Sequence, residues 1–253
     1  MKKTLLSLIF LILTGCATHN SANNTIYQVS TLDALIKGQY EAFVEFSELK
    51  EHGDFGLGTF DSLDGEMIAI DGKFYQIKSD GVVYPVSLNT KTPFADMIFF
   101  NADTLFDINK ETSCEDVIAE ISKRLSSWSI FYAIRVDGIF EKVKIRSVPA
   151  QKKPYPGLLE AVKGQTVFDY ENVNGTILGF WFPEFMKGAG ITGFHFHFIS
   201  DDRAKGGHLL TCKLKKAVVK IDYSTRLFLK LPENGQYPNQ TKDNLTPSAV
   251  SYH

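Results

Sequence analysis

The sequence predicts an α+β (mixed α/β) fold, with strand-rich mixed and antiparallel sheets and a few short helices. Three observations carry that expectation. Aromatic residues make up 13% of the 253, twenty of them Phe, a composition suited to pleated, half-buried surfaces. Apolar and polar residues alternate with period two through much of the chain, punctuated by Asp-Gly and Asn-Gly dipeptides that close hairpins. Helical periodicity, by contrast, is confined to short stretches. A hydrophobic share of 44% excludes a disordered or collagen-like chain. A net charge of −2 without a long basic run argues against a nucleic-acid partner held through phosphates.

Along the chain, Met1-Lys2-Lys3 and the apolar run Leu5 to Leu13 read as a signal peptide over 1–15, too short to span a bilayer as a mature helix. It ends Leu13-Thr14-Gly15-Cys16, which resembles a bacterial lipobox, so export and a lipid on Cys16 are expected, with plain secretion as the alternative. Residues 16–25 are small and polar, as a tether should be. The domain proper is expected over 26–231 and a polar C-terminal tail over 232–253. Helices are expected at about 31–37, 42–52 (stopped by Gly53), 112–126 and 157–163. Thr112-Ser113-Cys114-Glu115 reads as a capping box, and Cys114 falls on the apolar face behind it, as a small core residue rather than a redox group. Asp71-Gly72, Asp137-Gly138 and Asn174-Gly175 each predict a hairpin turn. Phe194 to Ile199, Leu209 to Leu214 and Ala217 to Tyr223 predict a meander. The sequence leaves open whether Cys114 and Cys212 pair.

The stretch Gly193-Phe194-His195-Phe196-His197-Phe198-Ile199 is the most informative. Strand side chains alternate faces, so the Phe set enters a core while His195 and His197 share the other face, about 7 Å apart. His208 joins them if its cross-strand partner has an odd number: a four-residue loop pairs it with Ile199, a two-residue loop with His197. Three neutral imidazoles on one face suit a divalent metal and leave positions open, as catalytic zinc sites do.

Taken with these histidines, Gly53-Asp-Phe-Gly-Leu-Gly-Thr-Phe60, Leu63-Asp-Gly-Glu-Met67, Tyr132-Ala-Ile-Arg135, Lys144-Ile-Arg146 and Gly179-Phe-Trp-Phe-Pro183 resemble the α-acetolactate decarboxylase family over roughly 26–231. The resemblance implies a two-part fold, a homodimer, and zinc (Zn2+) held by His195, His197 and His208. It further implies Glu66 as a catalytic carboxylate, Arg146 as the active-site arginine and Thr59 as a site-lining residue. On their own, Glu66 reads as a turn residue and Arg146 as the end of a basic face with Lys142 and Lys144. The family brings a second Glu from its C-terminal tail; here Glu233 is the last Glu, followed among acids only by Asp243.

The implied reaction is decarboxylation of 2-acetolactate, a 2-hydroxy-3-oxo acid, to acetoin. Loss of CO2 leaves an electron pair that spreads into the ketone as an enediolate, which a Lewis-acidic metal stabilises. Two alternatives remain at this level. A cupin-like non-haem iron oxygenase also carries His-x-His on a strand, but needs a nearby ligand Glu where Ser200-Asp201-Asp202 offers aspartates. An exported zinc-binding lipoprotein without catalysis would need the histidines but neither Glu66 nor Arg146.

Overall fold

The structure is a computed structural model that describes residues 24–233. The signal segment, Cys16 and nearly all of the tether lie outside the described residues, as does the tail from 234. In chain order the elements are β1 (Ile26–Val29), α1 (Leu32–Ile36), β2 (Val44–Glu45), α2 (Phe46–His52), β3 (Phe55–Thr59), β4 (Glu66–Ile70), β5 (Lys73–Ile77), β6 (Val83–Pro85), β7 (Lys91–Thr92), β8 (Ala95–Ile98), β9 (Thr104–Ile108) and β10 (Thr112–Ser113). There follow α3 (Cys114–Ser122), β11 (Phe131–Ser147), α4 (Leu158–Ala161), β12 (Thr166–Phe182), β13 (Gly193–Ser200), β14 (Gly206–Ser224) and β15 (Leu227–Lys230).

Two main sheets face each other. The first runs β15-β1-β8-β3-β4-β5-β6, antiparallel except for the β1–β15 pair. The second runs β10-β14-β11-β12-β13, with β9 against β14, and curls until β13 meets β14. Between them lies an apolar layer of Phe55, Leu57, Ile68 and Ile98 from the first sheet and Ala133, Leu178, Phe180 and Ile199 from the second. The outer face of the first sheet is covered by α2, through Phe46 and Leu49 against Met67, Ala69 and Met97. The inside of the second sheet holds Phe196 and Phe198 with Ile134, Val136, Phe140 and α3. The strand-rich fold and the Phe face of β13 thus agree with the sequence.

Several local expectations are corrected. Asp71-Gly72 does turn β4 into β5, but Asp137-Gly138 and Asn174-Gly175 lie inside the long strands β11 and β12, with Gly138 paired to Gly175. Here glycine serves close approach: a Cβ on Gly138 would stand 2.6 Å from Lys216 O, and one on Gly175 2.6 Å from Ile199 O. Asp137, far from a turn, takes ion pairs from Arg135 and Lys220. Of the expected meander, Phe194 to Ile199 is β13, whereas the two later runs are one continuous strand, β14, because its pairing with β11 absorbs the irregularity between Leu214 and Lys216 as a bulge. The 42–52 helix begins only at Phe46, since Val44 pairs with Thr92. The α3 cap is Ser113, whose side chain accepts from Asp116 N, one residue later than the Thr112 box. Finally, Cys114 and Cys212 form a disulfide that ties α3 to β14, so Cys114 is a cross-link as well as a core residue.

Candidate metal centre

The β13–β14 hairpin sets the histidines. His197 pairs with His208, and Ile199 with Gly206, which is the register of the shorter of the two loops the sequence allowed. His195 and His208 follow on the same face, and the three ligand atoms lie within 4.8 Å of one another. His195 Nε2 and His208 Nδ1 are 3.2 Å apart. Two nitrogens bound at about 2.0–2.1 Å in tetrahedral geometry stand about 3.3 Å apart, so the His195–His208 spacing matches two ligands of one zinc-sized ion. His197 Nδ1 is 2.9 Å from Met67 O, which fixes that nitrogen as the N–H and leaves Nε2 free as a ligand, the usual outer contact of a metal-binding imidazole. Burial, helped by the Arg146 cation, pushes His195 down to about 3, and burial holds His197 and His208 well below their ordinary value. Neutral imidazoles are the form that binds metal.

The first sheet supplies the opposing wall. Glu66 opens β4, buried at 8% exposure, with Oε2 3.6 Å from His197 Nε2. It is placed there by the Leu63-Asp-Gly segment: Gly65 has φ +88°, and a Cβ on it would meet Ile77 O at 2.2 Å. Thr59, opposite Glu66 in the β3–β4 pair, donates from Oγ1 to Gly65 O at 2.7 Å and so locks that turn. Burial pushes the Glu66 carboxyl up to about 7, with Arg146 pulling the other way. Arg146 lies directly across from His208, brought into register by the shift between Lys144 and Ile145. Lys142 and Lys144 remain in ion pairs at the surface, so the basic face ends where the first sheet covers β11.

All six expected residues line one cavity of about 230 Å³. Beyond these and Gly58, the wall is made of residues to which the sequence assigns no site role: Leu32, Leu35, Leu63, Phe94, Val148, Leu158, Val162 and Ile191. These come from α1, α4 and loops, and single apolar residues carry no local signal of a shared pocket. Asp202, one of the aspartates standing where the oxygenase reading needs a Glu, accepts from Ser200 Oγ and Ala204 N within the hairpin turn. Such a cavity can bind a small oxygen-rich anion, hold it against a metal, and move a proton at Glu66.

The family model described as Alpha-acetolactate decarboxylase matches residues 26–243. The chain is 46% identical over 220 residues to the alpha-acetolactate decarboxylase of Methanosarcina mazei, covering 87% of this chain and 76% of that one. It is 43% identical over 212 residues to the Bacillus licheniformis enzyme, covering 84% of each. The crystal structure of alpha-acetolactate decarboxylase from Bacillus subtilis superposes with a TM-score of 0.83 at 42% identity, covering 87% of this chain and 94% of that one. The chain belongs to the alpha-acetolactate decarboxylase family.

Proposed function

We propose that this chain decarboxylates 2-acetolactate to acetoin with a zinc ion held by His195, His197 and His208. The observation that carries the reading is the convergence of three metal-competent imidazoles, a carboxyl group and a guanidinium on one small cavity with apolar walls. A metal held by these imidazoles would supply Lewis acidity toward the substrate's oxygens. The chain's own residues do the remaining work. Arg146, a permanent cation in the lining, draws in the substrate carboxylate and orients it. It positions more than it grips, because tight binding of the departing carboxylate would stabilise the ground state and slow the reaction. Glu66 accepts the tertiary hydroxyl's hydrogen bond and handles the proton at its Oε atoms. Thr59 acts through Gly65 O, keeping Glu66 in place. Leu35, Phe94, Val148 and Ile191 exclude bulk water from the far side.

The same reading makes the protein an exported one, lipid-anchored through Cys16 or secreted, and a homodimer. The lipobox-like Leu13-Thr14-Gly15-Cys16 supports export, and so does the Cys114–Cys212 disulfide, since such bonds persist in oxidising compartments. The test of the activity is an assay of zinc-loaded protein on racemic acetolactate. Acetoin formation without oxygen uptake supports the reading. Untouched acetolactate, or oxygen consumption by an iron-loaded form, overturns it.

A further inference from the structure

Gln28 on β1 and Asp96 on β8 are direct cross-strand partners, so their side chains share a face of the first sheet, the one turned towards the second. Both are buried. The nitrogen of the Gln28 amide is committed: Nε2 donates to Ser30 O at 2.8 Å and to Ala189 O at 2.6 Å. Its Oε1 therefore points away from those carbonyls, and it is buried with no donor among the described residues. Both carboxyl oxygens of Asp96 are in the same condition. Three neighbouring acceptors without a donor are unfavourable, and a single proton on Asp96 turns one of them into the missing donor.

The surroundings favour that proton. Gln28 and Leu57, the neighbours of Asp96 across the strands, are uncharged. Burial alone pushes the Asp96 carboxyl up to about 8, with no ionisable group among the described residues contributing. Asp33, the acid near the adjoining loop, is exposed and lies over Gly188.

The carbonyl that Gln28 holds belongs to a loop that matters to the site. Leu32 N also donates to Ala189 O, and Asp33 N to Gly188 O, both at 2.9 Å. Two residues beyond Ala189 stands Ile191, a wall of the cavity, and then β13 begins with its histidines. We propose that Asp96 carries a proton that it donates to Gln28 Oε1, and that the two are positioning residues which, through Ala189, hold the Ile191 wall and the entry to β13. The hydrogen-bond chain stands independently of the decarboxylase reading; only its effect on turnover rests on it.

Amide exchange at Leu32 and Asp33 in the full mature chain, corrected for intrinsic rates, tests the proposal. Between pH 7 and 9 the wild type should exchange about tenfold faster, as Asp96 loses its proton. Asp96→Asn, which keeps a donor at every pH, should show no such rise. Asp96→Leu should exchange fast throughout and raise KM for acetolactate more than it lowers kcat. An Asp96→Asn profile that rises with pH as the wild type's does overturns the proposal, as does exchange in Asp96→Leu as slow as in the wild type at pH 7. If Asp96→Leu does not fold, the wild-type and Asp96→Asn profiles decide alone. Absence of acetolactate turnover in the wild type defeats the decarboxylase reading while leaving the exchange result decisive here.

Discussion

Glu66 meets His197 across the gap between two sheets, close enough to act on a shared ligand yet not in the three-histidine group itself. Glu66→Gln keeps size and hydrogen-bonding capacity while removing the charge. Turnover should fall by ~10²–10⁴-fold, with metal content and thermal midpoint near wild type. Loss of metal along with activity would instead make Glu66 a ligand. A second residue-scale prediction concerns Asp222, which accepts from Asn101 N and is pushed up to about 7 by burial and the nearby Asp103. A carboxyl whose folded pKa lies above its unfolded value holds extra protons in the folded state, so stability falls as pH climbs from about 4 to about 7. Asp222→Asn should soften that fall, raising the thermal midpoint at pH 8 and leaving it little changed at pH 4; equal shifts at both would contradict the assignment. The histidines were legible because strand alternation acts over two residues. Glu66 and Arg146 were legible only through the family resemblance. Gln28 and Asp96 were not legible at all, since a polar residue in a strand reads alike whether buried or solvated.

Local turn signals yield to strand pairing at the scale of the elements. Asp-Gly and Asn-Gly close a two-residue turn only when the flanking strands pair with each other, as β4 and β5 do around Asp71-Gly72. In β11 and β12 each flank instead continues straight against other strands, and the glycines relieve contact with neighbouring backbone. Tertiary pairing overrode local turn preference. The disulfide was invisible for a similar reason: α3 and β14 are 98 residues apart at the two cysteines. Closing so long a loop restricts the unfolded chain strongly, so the Cys114→Ala, Cys212→Ala double variant should lose ~2–5 kcal/mol. At roughly 2–4 °C per kcal/mol for a chain of this size, denaturation should show a drop of about 5–20 °C. A midpoint unchanged by substitution or by reductant would mean the bond is absent in solution.

At the scale of the molecule, the site exists only where the two sheets face each other. Glu66 and Thr59 come from one sheet, and Arg146 and the histidines from the other. The strand-rich class was readable from composition and alternation, whereas the face-to-face arrangement depends on contacts far apart in sequence. The exported reading makes its own prediction: Cys16→Ser should move the protein from the membrane to the soluble fraction of a bacterial host, with the activity of the purified enzyme unchanged. Persistent membrane association would rule out a lipid at Cys16. Light scattering of the purified mature chain should give twice the monomer mass, and a monomer across micromolar concentrations would contradict the homodimer. The central claim, that the three imidazoles hold the metal on which decarboxylation depends, is tested most directly by chelation and reconstitution. Acetoin production from racemic acetolactate should vanish when the metal is stripped and return on addition of one zinc per chain, and His197→Ala should neither bind that zinc tightly nor recover. Undiminished acetoin production by the metal-free protein, or by His197→Ala, would contradict the account.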